Sequence, residues 1–410
     1  MNAAITRKRF LDPCNIYIIL WALGRLQGLF FQSSLLSMLF FIPYALMTVY
    51  YIYRAVSSYN LKGAIKALSV FFAVMLLYGI ALLIFNDALG QDRKSFLMML
   101  LVSLGPVFPF YVFSRQGLLT EERIQGWFFV LLAVATVDYI KTGQDTLQRA
   151  LEEGKSVEEI TNNSAYMIAG LIPMLFALKK RPLLQYLSLI FILYFVITGM
   201  KRGAILVAAC LLIWFAWVKL SNAKRGKRIF VILCLAILIW IGTRFVLNFY
   251  EQSDYFQYRV EQTMEGSSSS RNQVYTTLWN HWINNGNPIQ FLFGEGAYHT
   301  ENVTGYLKAH NDWLELLIDS GLIGALFYFV YWICFVVDCR RSRYDTTLLA
   351  ILTACFIFNF LRTFFSMSFS DMPFYICIAM GYGFGQLPHT HNLTTRDQYE
   401  NTYCRRFRTS

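Results

Sequence analysis

Residues 183–218 read LLQYLSLIFILYFVITGM, then KR, then GAILVAACLLIWFAWV: eighteen uncharged residues, a dibasic break at Lys201-Arg202, and sixteen more uncharged residues. A helix rises about 1.5 Å per residue, so each run is close to the roughly 30 Å of a bilayer's hydrocarbon. Two such runs joined by so short a break form an antiparallel pair of membrane-spanning helices. Similar runs recur along the 410 residues, of which 56% are apolar, 17% aromatic and only 15% charged. A soluble surface needs about 25% charge to stay wetted, and the mean hydropathy here is +0.43. The runs do not alternate, which excludes a porin-type barrel. Disorder, a disulfide scaffold and a secreted enzyme are excluded by the same composition. The expected fold class is all-α: a polytopic helical membrane protein.

Working outward, spans are predicted near 14–31, 34–53, 65–85, 95–114, 123–140, 163–178, 183–200, 203–218, 229–249, 321–338, 346–365 and 371–387, about twelve in all. They divide the chain into spans one to nine (1–249), a large outer loop with short helices (250–320), spans ten to twelve (321–387) and a tail (388–410). The start, Met1 to Pro13, is too polar for a cleaved signal peptide. With that start inside, 23 of the 36 lysines and arginines fall in inner segments and 10 in outer ones, with Arg25, Arg244 and Arg362 inside spans. The positive-inside bias therefore predicts both termini in the cytoplasm. The net charge of +11 then reflects topology and attraction to anionic membrane lipid, not nucleic-acid binding. All eight cysteines lie in spans or on the inner side, with no C-x-x-C pair, so neither a disulfide nor a metal ribbon is expected. There is no Walker loop either.

Three constellations on the outer side carry chemistry. Thr198-Gly199-Met200-Lys201-Arg202-Gly203 places two cations at a helix N-terminus, where the macrodipole disfavours them. A bound anion would relieve that cost; the alternative is a pair that snorkels to lipid headgroups. Ser270-Arg271-Asn272-Gln273 reads as a capping box opening a helix with Val274, Leu278 and Trp282 on one face. Arg271 is again a cation at a helix start, or else an exposed arginine on a surface helix. Lys308-Ala309-His310-Asn311-Asp312-Trp313-Leu314-Glu315 places His310 ahead of a short helix that Asp312 and Glu315 begin in capping-box fashion and Gly321 ends. A helix N-terminus favours the neutral imidazole that a general base requires. Glu315 and Asp319 read as capping and solvated-face residues. His281 and His299 lack metal-ligand spacing, and Phe293-Gly294-Glu295-Gly296 is a turn. Lys141 to Asn162 forms an acidic, helix-prone outer segment. Intramembrane Arg25, Arg244 and Arg362 are either functional or snorkelling.

The outer hinge at 198–203, the loop Arg271, and His310 followed after ten residues by Gly321, within Ser320-Gly321-Leu322-Ile323-Gly324, resemble the O-antigen ligase and O-antigen polymerase (Wzy-like) family of bacterial envelope glycan transferases. The motifs cover roughly residues 195–340; the first half resembles the family only in hydropathy. The resemblance implies a GT-C-like, metal-independent glycosyltransferase of the cell inner membrane that needs no cofactor and faces the periplasm with its active site. Its donor would be a glycan on undecaprenyl pyrophosphate, and its acceptor lipid A core in lipopolysaccharide biosynthesis, or a growing glycan if the protein is a polymerase. Carried over, His310 would deprotonate the acceptor hydroxyl, and Arg202 and Arg271, with Lys201 beside them, would hold the pyrophosphate. Tyr275 stands where the ligase pattern often has Leu, which leaves ligase and polymerase both open. A lipid-linked sugar transporter is the rival reading; it requires spans broken at the midplane and a polar path.

Overall fold

The computed structural model describes residues 12–31, 33–85, 93–152, 162–224, 271–305 and 309–388, with isolated helical positions between 226 and 261. The expected ninth span (229–249) lies largely outside these residues, as do most of 250–270, Ser270, Lys308 and the 389–410 tail. The described residues are helical, without a strand among them. Among the described residues, seven helical segments are long and apolar enough to cross a membrane: Ser34–Ser58, Gly63–Ala81, Ser95–Arg115, Glu121–Arg149, Arg202–Asn222, Gly321–Tyr344 and Thr346–Phe365. Pro13–Phe30, Pro182–Thr198 and Phe374–Gln386 are further apolar helices at expected span positions. The chain is thus a multi-pass helical membrane protein.

The helices divide by what surrounds them. Ser34–Ser58 exposes Leu35, Met38, Leu39, Ile42, Leu46 and Val49, an apolar flank that only lipid can cover without cost. Phe374–Gln386 is the opposite, with every residue from Phe374 to Gly385 buried. Its glycines allow this. A Cβ on Gly381 would lie 2.4 Å from the Phe110 Cβ, one on Gly383 2.4 Å from a Leu352 methyl, and one on Gly385 2.5 Å from the Ser114 Cβ. Small residues let backbones approach where lipid tails supply no hydrophobic drive.

Several expectations need correction in detail. The span expected at 95–114 stands as Ser95–Arg115, but its helix is interrupted between Arg93–Ser103 and Val107–Arg115, because Gly105-Pro106 breaks the hydrogen-bond ladder. The run at 163–178 is likewise broken into Ala165–Ala169, Ile172–Leu175 and a terminal 3₁₀ turn. The acidic segment after Lys141 is not a separate outer helix at its start; it continues Glu121–Glu152. Arg25 does not simply snorkel: its guanidinium grips both oxygens of Asp138, at 2.8 and 3.0 Å, and that carboxylate is 1% exposed.

Candidate functional site

The hinge between Pro182–Thr198 and Arg202–Asn222 is held from below. The Asn162 N–H donates to the Gly199 carbonyl at 2.9 Å, and the Asn162 amide donates to the Tyr139 carbonyl at 2.8 Å. The Tyr139 and Thr198 hydroxyls share a 3.1 Å hydrogen bond. A Cβ on Gly199 would meet the Ala165 Cβ at 2.8 Å, so the turn needs its glycine. Met200 then sits at φ 50°, the left-handed region that non-glycine residues enter only when surroundings impose it. Lys201 is the N-cap residue and Arg202 the first helical residue, with no side-chain cap on the first turn.

Arg271 lies in the helix Arg271–Ile283, where the described residues resume. Val274, Leu278 and Trp282 are the buried face, packed with Ala309 and Ile318 in a small separate apolar cluster. Trp282 stacks on Phe291 at 4.4 Å between ring centroids. This satellite core fixes the Arg271 helix against Asp312–Asp319. The Tyr275 hydroxyl reaches the Phe364 carbonyl at 3.4 Å. Burial pushes the Tyr275 phenol up from its ordinary value, against the pull of the Arg271 guanidinium and of Asn311, the residue after His310.

His310 is exposed and sits at φ 51°. The capping residue of the next helix is Asn311, not Asp312: its side chain accepts from the Trp313 and Leu314 N–H groups at 3.0 and 3.2 Å. Asp312 turns inward instead. It accepts from the Tyr328 hydroxyl at 2.6 Å and from the Ser368 and Phe369 N–H groups at 2.9 and 3.2 Å. Asp319 and Glu315 are buried rather than solvated. Asp319 caps a different helix, His299–Thr304, accepting from the Tyr298 and Thr300 N–H groups at 3.0 Å each. Gly321 does not end the short helix. Ser320 does, and Gly321, at φ 65°, begins Gly321–Arg341. Glu295, from the glycine pair Gly294 and Gly296, is bracketed by His281 at 2.7 Å and His299 at 2.6 Å.

Burial pushes the Asp312 carboxyl up to about 7 from an ordinary 3.8, against its donors and the nearby Arg362. A raised carboxyl favours the protonated fold, so its contribution to stability is complete below about pH 4 and is lost as pH rises through 7. The melting temperature of the solubilised protein is therefore expected to fall between pH 5 and pH 8. In Asp312→Asn part of that slope disappears, leaving the part due to Asp319, which burial also pushes to about 7. A slope unchanged in the variant would assign the pH dependence elsewhere.

Tyr166 connects the pieces. Its hydroxyl lies 1.9 Å from where a Cβ on Gly203 would stand, against the first turn of the Arg202 helix. The same hydroxyl is within electrostatic reach of Arg271 and Arg362. Arg271 and Asn311 in turn share Tyr275. The Arg202, Arg271 and His310 segments thus adjoin one another through two tyrosines. All lie at the end of the bundle formed by Thr198, Arg202, Gly321 and Phe365. Arg340 and Arg341 are at the other end of Gly321–Arg341, and Lys179 precedes the other end of Pro182–Thr198. No group of three or more His, Cys, Asp or Glu side chains arranged to hold a metal ion occurs among the described residues.

Sequence reasoning left Arg362 undecided, and Tyr166 was not singled out. Arg362 is 0% exposed, lies 5.0 Å from the Tyr166 ring centroid, and so does not snorkel. A lone arginine near a span's end gives no sign of this; a tyrosine opening another outer-facing segment was the available hint.

Residues 187–329 match the family model described as O-Antigen ligase, about a third of the chain. The matched segment runs from the helix before the hinge through Arg271, His310 and Gly321. No curated protein matches the chain.

Proposed function

We propose that the protein is a membrane glycosyltransferase that moves a glycan from undecaprenyl pyrophosphate to an acceptor hydroxyl on the periplasmic face of the inner membrane, a reading supported by the match of residues 187–329 to the O-antigen ligase family model. The acceptor in this reading is lipid A core. The observation that carries it is the convergence around Tyr166 and Tyr275 of the helix that begins with Arg202, the helix that carries Arg271, and the exposed His310.

In the proposed reaction the His310 imidazole takes the proton of the acceptor hydroxyl. The acceptor oxygen bonds to the anomeric carbon as the bond from that carbon to the pyrophosphate oxygen breaks. The pyrophosphate leaves with the electron pair, and Arg202, Arg271 and Lys201 neutralise its growing charge, a role that divalent metals fill elsewhere. The activated donor supplies the driving force, so no nucleotide is consumed. Broken spans would suit a transporter, but the Gly105-Pro106 break opens no polar path: Val107 to Phe113 are all fully buried against Phe374–Gln386.

The test is transfer by the purified protein, given lipid-linked glycan and lipid A core, in the presence of EDTA. Glycan attached to core supports the reading. Lengthened lipid-linked glycan with no core product identifies a polymerase, and loss of activity in EDTA overturns the metal-free mechanism. Arg202→Ala and Arg271→Ala are each expected to weaken donor binding roughly tenfold or more, the worth of a charged hydrogen-bonding pair. Lysine at either site restores little, because the bidentate geometry is lost. Full rescue by lysine at both sites would reduce the clamp to simple charge.

A further inference from the structure

Arg362 is a fully buried cation with incomplete partners. Its Nη2 donates to the Met367 carbonyl at 3.1 Å and to Asp371 Oδ2 at 3.3 Å. Its Nε and Nη1 are buried without a hydrogen-bond partner, as is the hydroxyl of Tyr166, which is 3% exposed. The guanidinium lies over the Tyr166 ring at 5.0 Å and the Phe358 ring at 5.4 Å. A buried charge is costly unless paired and hydrogen-bonded. Its carboxylate partner is a poor one, since the Asp371 side chain is 72% exposed and touches through one oxygen at the long end of the range. Asp371 can swing into solvent at little cost.

The Tyr166 side chain links this guanidinium to the start of the Arg202 helix. The Tyr166 hydroxyl abuts Gly203, and any side chain larger than hydrogen there would strike it. A Cβ on Gly203 would also lie 3.2 Å from the Phe365 Cβ, three residues beyond Arg362. Tyr166 therefore has an under-partnered guanidinium over its ring and a helix N-terminus against its own unsatisfied hydroxyl, groups suited to oxyanions.

We propose that Arg362 and Tyr166 form a buried receptor for a phosphate group, and that Asp371 is its exchangeable resting counterion. Resting on the proposed function, the phosphate belongs to the diphosphate of the polyprenyl-linked donor, and Arg362 is a third binding arginine beside Arg202 and Arg271. Donor binding displaces Asp371, and the phosphate oxygens fill Nε, Nη1 and the Tyr166 hydroxyl together.

The experiment measures binding of inorganic pyrophosphate and of undecaprenyl pyrophosphate to the full-length protein in nanodiscs, for the wild type, Asp371→Asn and Arg362→Lys. Removing the competing carboxylate is expected to tighten both ligands about threefold to tenfold, whereas Arg362→Lys weakens both roughly tenfold or more. Asp371 is exposed, so its variant remains informative even if Arg362→Lys does not fold. Binding of both ligands unchanged or weakened by Asp371→Asn overturns the proposal, as does binding indifferent to Arg362→Lys. If inorganic pyrophosphate binds with the expected dependence but undecaprenyl pyrophosphate does not bind, the receptor stands and the donor reading fails. If undecaprenyl pyrophosphate binds independently of both residues, the receptor fails and the donor reading stands.

Discussion

His310→Ala is expected to lower glycan transfer by about 10²–10⁴-fold, the usual worth of a positioned general base, while membrane level and donor binding hold. The imidazole is exposed, so its removal opens no cavity. Its backbone, at φ 51°, complicates the alanine variant, because alanine occupies the left-handed region less readily than histidine or asparagine. His310→Asn is the cleaner companion. It tolerates the backbone and keeps a polar side chain, yet cannot accept a proton at neutral pH. Both variants should lose transfer to a similar extent. Wild-type rates in both would remove His310 from the mechanism, and loss in alanine alone would assign the residue to shaping the turn.

Gly321→Ala should be destructive in a different way, by several kcal/mol, enough to empty the membrane of folded protein. Gly321 has φ 65°, and a Cβ there would stand 2.4 Å from both the Leu292 carbonyl oxygen and the Gly294 nitrogen. Those are backbone atoms, and they cannot rotate away. The crossing is reciprocal, since a Cβ on Gly294 would lie 2.5 Å from the Asp319 carbonyl. The Glu295 and Gly296 N–H groups donate to the Ile318 and Asp319 carbonyls at 2.9 and 3.1 Å, tying the strands of chain together. The glycine ten residues after His310 is thus required where two backbones cross, and it positions the His310 turn over the helix that follows. Gly286→Ala is the control; no atom lies within 4 Å of its added Cβ, and its effect should stay within about 0.5 kcal/mol. Membrane abundance and melting temperature read both variants. A Gly321→Ala protein that accumulates and melts like wild type would show that the crossing can open.

The seven spans found among the described residues were legible because hydrocarbon thickness writes itself directly into run length. Arg202 as a helix-opening residue, and the Val274, Leu278 and Trp282 face, were legible because helix starts and helical period are local properties. The capping of Asp312–Asp319 was not. Asn311 and Asp312 can both cap, and the choice falls to Asn311 because the Ser368 and Phe369 N–H groups, far away in sequence, claim Asp312. The Gly105-Pro106 break was present in the sequence as a breaker pair, but the unbroken apolar run concealed it. The burial of Arg362 depends on rings from two other places in the chain, and no pattern local to residues 346–365 distinguishes burial from snorkelling.

The wholly enclosed helix Phe374–Gln386 has a consequence for biogenesis. It is synthesised after every other described helix, yet it occupies the middle of the finished bundle. A nascent chain halted before Phe374 would hold a hollow walled by Phe110, Ser114 and Leu352, with nothing but lipid or water to fill it. Assembly of this bundle must therefore stay open on one side until Phe374–Gln386 has been made, and a chain that stops before it lacks the keystone of the bundle.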